Sequence, residues 1–280
     1  VEIEAPEAQK VSDRYKDTPK VKVINQDFFD FYKEALGKKT FDLILGNPPY
    51  IRYQYLKESQ RECQAQILTS HGMKSNKLIN AWVAFMVASV QMLSKRGKIA
   101  FVIPAEILQV AYAEDLRLYL VNHLAKITLI TFEQLIFPDI EQEVVVFLGE
   151  KGDVEKGIRI IEMNDLSGFD DLDLASNGFQ AVQHIKEKWT KYFLNGNEMK
   201  LIQKLRADNR FSKFSEYGLI NIGITTGNNG YFSVTEEITN RYHLEDATLP
   251  LIGRSSHAHG IYFTESDWNL NKSTGKSARL

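Results

Sequence analysis

The most informative segment of the sequence is Phe41-Asp42-Leu43-Ile44-Leu45-Gly46-Asn47-Pro48-Pro49-Tyr50. Its first six residues form a nearly continuous apolar run, which predicts a buried strand of a parallel sheet. The last four place an Asn-Pro-Pro-Tyr turn at the carboxyl end of that strand. Ligands bind at this end of the strands in open α/β sheets, so we expect a ligand site at the turn.

The two prolines make this turn stiff and remove two amide donors. Asn47 and Pro48 each precede a proline, which pushes both toward extended conformations. The turn therefore offers two acceptors, the side-chain oxygen of Asn47 and the backbone carbonyl of Pro48, beside the ring of Tyr50. Such a corner suits a planar NH2 group, because accepting both N–H bonds favours a pyramidal nitrogen that can attack. A stiff loop with an exposed tyrosine is the structural alternative.

The first half of the chain alternates apolar strands with helical stretches, which is the pattern of a parallel sheet covered by helices. An acidic opening over residues 1–17 is interpreted as an exposed connector. Helices are predicted over residues 78–94, closed by a basic turn and Gly97, and over residues 113–124. Strands are predicted over residues 21–26, 41–46, 99–103, 127–132 and 144–148.

Composition and charge limit the possible functions. The chain has 280 residues, with 34 Lys and Arg against 36 Asp and Glu, so its formal net charge is only -2. Any affinity for nucleic acid must come from local patches. Residues 181–220 form such a patch, with eight basic against four acidic residues. Within it, Lys200 and Lys204 lie one helical turn apart, either as phosphate contacts or as part of a solvated face.

Cysteine content and hydropathy predict the cellular setting. Cys63 is the single cysteine, which excludes a disulfide framework and fits a reducing compartment, with the cytoplasm as the expected location. No cluster of histidine, cysteine and carboxylate predicts a metal site. The longest apolar run, residues 81–93, is shorter than the roughly 20 residues that a bilayer requires. We therefore expect a buried helix there and no membrane partner.

Residues 41–50 resemble motif IV of the amino-methyltransferases, especially the gamma-type adenine-specific DNA methyltransferases and their fused type IIG restriction-modification relatives. Residues 23–28 look like the strand and acidic turn that meet the adenosine of S-adenosylmethionine. Residues 135–138, followed by 144–147, look like motif VIII, whose aromatic residue stacks on the extruded target base. With the helix and strand of residues 81–104, the resemblance covers about residues 21–150.

The resemblance implies an α/β fold with a partial Rossmann-like methyltransferase sheet, followed by a mostly β (α+β) target-recognition domain. We assign residues 1–156 to the C-terminal part of the catalytic domain and residues 157–280 to an incomplete recognition domain. Strands of the latter are predicted over residues 219–225, 231–235 and 261–264. The implied site residues fall into three groups: Asn47 and Pro48 with Tyr50 at the target amine; Tyr50 and Phe137 stacking on the flipped adenine; and Asp27, Phe28 and Pro49 at the cofactor.

Two of these assignments have structural alternatives. Asp27 could serve as the N-cap of a helix that begins at Phe28, a role that is compatible with accepting from the cofactor's adenine amine. Phe137 could be a core aromatic residue before a hairpin. Stacking is worth about 1 to 3 kcal/mol per base, which helps to offset the cost of flipping.

The chain departs from the family pattern at the glycine-rich cofactor loop. That loop should lie upstream of Asp27, yet residues 1–22 contain no glycine. The resemblance therefore implies a C-terminal fragment that does not bind S-adenosylmethionine by itself. The first strands, and in type IIG relatives a nuclease domain, would precede it in the native chain.

Residues 223–231 resemble the opening of the recognition domains of these enzymes. The same residues could form a hairpin, since Asn-Gly favours a type I′ turn. The sequence thus nominates a set of contacts with double-stranded DNA: Arg52, Lys200, Lys204, Asn228 and Asn229.

The predicted function is methyl transfer from S-adenosylmethionine to the exocyclic amine of a flipped adenine, within a restriction-modification system. One alternative is a DNA-recognition fragment without activity by itself. Another is methylation of a glutamine side-chain amide in a protein, which also uses Asn-Pro-Pro-Tyr. Those enzymes end soon after the sheet, so the roughly 130 residues beyond Gly149 argue against that alternative.

Overall fold

The computed structural model describes residues 1–137, 142–170, 172, 178–182, 188–221, 223–258 and 260–280. These residues form two compact units, Val1–Ala207 and Asp208–Leu280. The division falls later than the predicted boundary between residues 156 and 157, because the strand that begins at Gly157 belongs to the sheet of the first unit.

The first unit is built on a mixed six-stranded sheet with the order β1-β2-β4-β3-β5-β6. The pairs β1–β2 and β3–β5 are parallel, and β4 runs antiparallel between β2 and β3. The short β6 pairs antiparallel with β5. The strands are β1 (Phe41–Gly46), β2 (Leu93–Pro104), β3 (Lys126–Phe132), β4 (Val144–Glu150), β5 (Gly157–Met163) and β6 (Gln180–Ala181).

Helices cover this sheet, and one of them forms much of the core. Helix α4 packs against α2, α3, α5 and β2, with Trp82 and Met86 fully buried. This confirms the predicted buried helix. None of the helices in the described ranges has the length and hydropathy needed to cross a membrane. The helices of this unit are α1 (Ala5–Arg14), α2 (Phe28–Ala35), α3 (Glu58–Thr69), α4 (Ala81–Met92), α5 (Glu114–His123) and α6 (Gly196–Ala207).

Strand β1 has the predicted bounds but not the predicted burial. It pairs with β2 on one side, and no other described strand pairs with it. Leu43 and Leu45 are 56% and 68% exposed, so the strand is an open edge rather than a buried strand. The apolar run is what a strand covered on both sides requires, and the described residues cover only part of it.

The transition from α4 to β2 also differs from the prediction. The helix ends at Met92, and residues 95–97, expected as its basic last turn and glycine stop, lie instead in β2. The register between β1 and β2 shifts at this point. An added Cβ at Gly97 would lie 2.8 Å from the Phe41 carbonyl oxygen, so glycine lets the two strands approach.

The amino-terminal segments correct two further predictions. Residues 1–17 are not a plain connector, because they contain α1. The predicted strand over residues 21–26 is reduced to an isolated parallel bridge between Glu2 and Asn25. Hydrogen bonds from Glu2 N to Ile24 O (2.9 Å) and from Gln26 N to Glu2 O (3.0 Å) flank this bridge. The short extended segment at the start of the chain therefore pairs with the turn that leads to α2.

In the described residues of the second unit, the predicted strands over residues 219–225, 231–235 and 261–264 are not formed, and its regular structure consists of short helices. Its helices are α7 (Asn229–Phe232), α8 (Glu236–Tyr242) and α9 (Glu265–Ser273). In the described part of the unit, β-type pairing is limited to isolated bridges from Arg279 to Val234 and Pro250. The Asn-Gly pair opens α7 rather than a hairpin, because the Asn228 side chain accepts from Tyr231 N and caps a helical turn. Local capping has overridden the turn preference.

Candidate active site

A cleft of about 670 Å³ opens at the carboxyl end of β1. One wall is the exposed edge of β1 with the Asn-Pro-Pro turn that follows it. The start of α2 and the segment Val1–Ile3 also line the cleft. This is the end of the sheet at which the sequence predicted a ligand site.

The turn presents the predicted acceptors. Asn47 is exposed, Pro48 is buried and Pro49 is exposed, and all three line the cleft. Within the described ranges, no donor is hydrogen-bonded to the Asn47 side chain or to the Pro48 carbonyl. The two oxygens are therefore available to a ligand that brings its own N–H groups.

Tyr50 is anchored behind this corner. Its hydroxyl donates to the Val102 carbonyl of β2 at 3.0 Å, and its ring packs against the core while remaining half-buried. Burial raises the pKa of Tyr50 to about 12, so the hydroxyl stays protonated and continues to donate at neutral pH. The hydrogen bond fixes where the ring stands relative to the parallel strands.

The residues after the turn are held by two helices. Ala81 N, at the start of α4, donates to the Ile51 carbonyl at 2.9 Å. In α3, the Arg61 guanidinium donates from Nε to the Tyr53 carbonyl (3.1 Å) and from Nη2 to the Gln54 carbonyl (2.7 Å). These contacts fix the segment that follows the turn, and no local sequence pattern predicts them.

Asp27 and Phe28 stand at the other side of the cleft. The Asp27 carboxylate caps α2 by accepting from Phe29 N at 2.8 Å, which confirms the structural alternative for this residue. Its second oxygen accepts from Gln60 Nε2 at 2.6 Å. Phe28 stacks on Phe85 of α4, with ring centroids 4.2 Å apart and an angle of 14° between the planes. Asp27 therefore provides an acidic acceptor next to the aromatic ring of Phe28, whose position is stabilised by stacking on Phe85.

The remaining predicted residues lie elsewhere. Phe137 is 39% exposed and does not line the cleft, and no ring contact joins it to Tyr50 in the described part of the chain. The neighbouring Pro138 of the predicted motif lies outside the described residues. The residues predicted to contact DNA are all exposed: Arg52 just after the turn, Lys200 and Lys204 on α6, and Asn228 and Asn229 at α7.

Gln60 and Phe85 are two of the cleft residues that sequence reasoning missed. Gln60 lies 33 positions from the carboxylate it contacts. Phe85 is one apolar residue among many in a helix that is apolar on all sides, so its place beneath Phe28 leaves no periodic signal. Only the packing of α3 and α4 against α2 brings them into the site.

The residues of the cleft fit an adenosine group. A carboxylate can accept an exocyclic amine, aromatic and apolar walls suit a purine, and the exposed Pro49 adds a further apolar surface. Ser89 supports a polar ligand, because its hydroxyl is buried in the cleft wall with no hydrogen-bond partner in the described chain. Gly46 is the single glycine that lines the cleft. The lining therefore contains no glycine-rich loop of the kind that holds the phosphates of a nucleotide or the sulfonium end of S-adenosylmethionine.

Two family models match the chain. Residues 3–137 match the Eco57I restriction-modification methylase model, and residues 186–280 match the C-terminal domain of the type II methyltransferase M.Eco57I. The first match contains all of the cleft residues except Val1 and Glu2, and the second contains the compact unit that begins at Asp208.

Named relatives agree with these models. The type II methyltransferase M.AccI of Acinetobacter calcoaceticus is 24% identical over 286 residues, which cover 97% of this chain and 51% of M.AccI. M.HincII of Haemophilus influenzae is 31% identical over 157 residues, covering 56% of this chain and 30% of M.HincII. The chain thus spans about half the length of M.AccI. A solved structure of a nuclease-deletion mutant of the type ISP restriction-modification enzyme LlaGI, with a DNA substrate mimic, aligns with a TM-score of 0.48 and 10% identity over 69% of this chain and 23% of that one.

Proposed function

We propose that this chain belongs to the Eco57I family of type II restriction-modification methyltransferases, whose models match residues 3–137 and 186–280, and that it carries the amine-binding half of a DNA adenine methyltransferase. The reaction is methyl transfer to the exocyclic amine of an adenine flipped out of double-stranded DNA. S-adenosylmethionine supplies the methyl group when bound. The recognition sequence is read by parts of the chain outside the cleft.

One observation carries this proposal: the acceptor corner and the adenosine-compatible residues line a single cleft. Asn47 and the Pro48 carbonyl stand at one side, and Asp27 and Phe28 at the other. Methyl transfer requires the amine and the methyl donor to lie next to each other. Orientation alone can lower the activation barrier by roughly 7 to 11 kcal/mol. The structural alternative, a stiff loop without a ligand, does not explain why an acidic acceptor and an aromatic ring line the same cleft.

In this proposal the chain's own residues act by orientation. Asn47 Oδ1 and the Pro48 carbonyl accept the two amine hydrogens, which turns the nitrogen lone pair toward the methyl donor. Tyr50, anchored through its hydroxyl, offers the ring on which the adenine stacks. No side chain has to remove a proton before the attack, so this chemistry does not require a base at the corner. The proton leaves to solvent after transfer.

The assignment of Phe137 as the second stacking ring is also a proposal. Its exposure is compatible with a ring that meets a base only when DNA is bound. Replacing Phe137 with Ala should weaken the trapping of the flipped base, measured with a fluorescent 2-aminopurine at the target position, by a few fold to about a hundredfold.

The proposal is tested by Asn47→Ala in the full-length protein. Loss of one oriented acceptor should lower the methyl-transfer rate by about 10²- to 10³-fold, by analogy with loss of an oxyanion-hole donor. DNA binding should change little, because the exposed Asn47 side chain makes no hydrogen bond to the rest of the described chain. The measurements are single-turnover transfer of labelled methyl groups and mass spectrometry of the nucleosides. Asn122→Ala, at an exposed site at the end of α5, is the matched control.

Normal turnover of Asn47→Ala would refute the role of the corner. Methylation of a base other than adenine would refute the substrate. Transfer to a glutamine amide, with none to DNA, would favour the protein-methylating alternative instead.

A further inference from the structure

Gln60 connects the start of α3 to Asp27 in the cleft through the two ends of its amide. It lies in the first turn of α3, where Oε1 accepts from Lys57 N at 2.9 Å and caps the helix. Its Nε2 donates to Asp27 Oδ2 at 2.6 Å. Both Gln60 and Asp27 line the cleft.

The Asp27 carboxylate is thereby held by two donors from different elements. Phe29 N holds Oδ1 from within α2, and Gln60 holds Oδ2 from α3. A carboxylate has about four acceptor positions, so two donors still leave lone pairs for a ligand. Fixing both oxygens sets the direction in which those lone pairs point.

The same turn of α3 also reaches the exit of the Asn-Pro-Pro-Tyr turn. Arg61, next to Gln60, donates to the carbonyls of Tyr53 and Gln54. One rigid helical turn therefore contacts the acidic residue at one side of the cleft and the segment that follows Tyr50 at the other.

We propose that Gln60 is a positioning residue that aims the Asp27 carboxylate at the 6-amino group of the bound adenosine. The inference rests on the proposed function, because it takes the nucleoside of the methyl donor as the ligand. A carboxylate held in one orientation accepts an N–H group well and repels a carbonyl oxygen in the same place. Gln60 thus controls selectivity between 6-amino and 6-oxo purines.

The test compares S-adenosylhomocysteine with its inosine analogue, in which a 6-oxo group replaces the amine. Dissociation constants are measured by calorimetry with the full-length protein. Hydrogen bonds to charged groups are worth enough to give a discrimination ratio of about tenfold or more in the wild type.

Two substitutions separate the contacts of Gln60. Gln60→Glu keeps the acceptor for Lys57 N but replaces the donor to Asp27 with a second carboxylate. Gln60→Leu removes both contacts and serves if the charged variant folds poorly. Gln66→Glu makes the same chemical change at an exposed position of the same helix and is the matched control.

The expected result is a fall of the discrimination ratio by about tenfold in both Gln60 variants, with Gln66→Glu unchanged. A merely structural role would weaken both ligands in proportion and leave the ratio as it was. An unchanged ratio in Gln60→Glu and Gln60→Leu, in a wild type that discriminates, would overturn this inference alone. A wild type that binds neither nucleoside would overturn the proposed function and this inference with it.

Discussion

The residues of the Asn-Pro-Pro-Tyr turn differ in exposure, and the differences match their proposed roles. Asn47 faces the cleft, Pro48 is buried, and Tyr50 is anchored to Val102. A buried proline between an exposed amide and an anchored ring keeps the corner from relaxing. Pre-organisation of this kind reduces the entropy lost when the amine is positioned.

The hydroxyl of Tyr50 should affect stability separately from the ring. Tyr50→Phe removes the hydrogen bond to Val102 and should lower the free energy of unfolding by about 0.5 to 1.5 kcal/mol. Denaturant titration at neutral pH measures this. Tyr55→Phe, at a side chain that is 73% exposed, should leave the midpoint in place. Equal midpoints for Tyr50→Phe and the wild type would show that the hydrogen bond does not contribute.

The same hydroxyl predicts an alkaline dependence. The pKa of Tyr50 is raised to about 12 in the fold, above the ordinary value of 10.0. The neutral form is favoured in the native state, so its stabilisation is complete below the unfolded-state pKa and is lost as the pH rises through the folded-state value. Between about pH 10 and pH 12, the unfolding free energy of Tyr50→Phe should therefore fall less steeply than that of the wild type. Parallel curves would contradict this.

At the scale of elements, the pairing of β1 with β2 sets the position of the corner. Both strands run in the same direction, so Gly46 and Pro104 end at the same edge of the sheet. The close approach at Gly97 permits this pairing at its other end. The ligand site depends on a contact that lies a full strand length away.

Gly97→Ala should therefore destabilise the first unit. The added Cβ would lie 2.8 Å from the Phe41 carbonyl oxygen and 3.0 Å from Ser94 N, both backbone atoms. Overpacking of this kind costs about 1 to 3 kcal/mol, to be measured by chemical denaturation. Gly152→Ala, where no atom lies within 4 Å of the added Cβ, is the control. A Gly97→Ala variant as stable as this control would mean that the two strands separate at little cost.

Helix α6 offers a separate test of DNA contact. Lys200 and Lys204 are exposed and one turn apart. If both contact phosphates, the double Gln substitution should reduce the slope of log affinity against log salt by about 1.8, since each phosphate contact contributes about 0.9. Lys38 and Lys39, exposed before β1 at the other end of the sheet, provide the matched double substitution. An unchanged slope would remove α6 from the DNA-binding surface.

The open edge of β1 forms part of the wall of the cleft in the first unit. Leu43 and Leu45 are more exposed than apolar residues of a parallel sheet ordinarily are, and the cleft lies beside that edge. The first glycine of the chain is Gly37, so no glycine-rich cofactor loop precedes Asp27 within the 280 residues.

We therefore expect the 280 residues by themselves to bind S-adenosylmethionine weakly or not at all. The cleft has an acceptor and an aromatic wall for the adenosine but lacks a glycine-rich loop to hold the remainder of the cofactor. Calorimetric titration of the isolated chain measures this, with the full-length protein as the reference. Micromolar affinity of the isolated chain would show that the cleft is sufficient.

Strand β1, the turn that follows it and helices α4 and α5 of the first unit could be predicted from the sequence, because they depend on local chemistry. An apolar run of strand length, two prolines and a helix apolar on all sides carry their consequences in adjacent residues. The bounds of β1 and the burial of α4 were predicted on this ground. The N-cap role of Asp27 followed from the same local reasoning.

The assembly of the site could not be predicted, because it depends on contacts between separate segments of the chain. Gln60 contacts Asp27, which lies 33 positions away in the sequence. Phe85 stacks on Phe28 from a helix without a periodic apolar pattern. Arg61 donates to the Tyr53 carbonyl, a contact that no local sequence pattern predicts. The exposed edge of β1 and the absence of the predicted strands from the described part of the second unit depend on which neighbours a segment packs against. A segment's residues limit its conformations, but the packing of other segments against it selects among them.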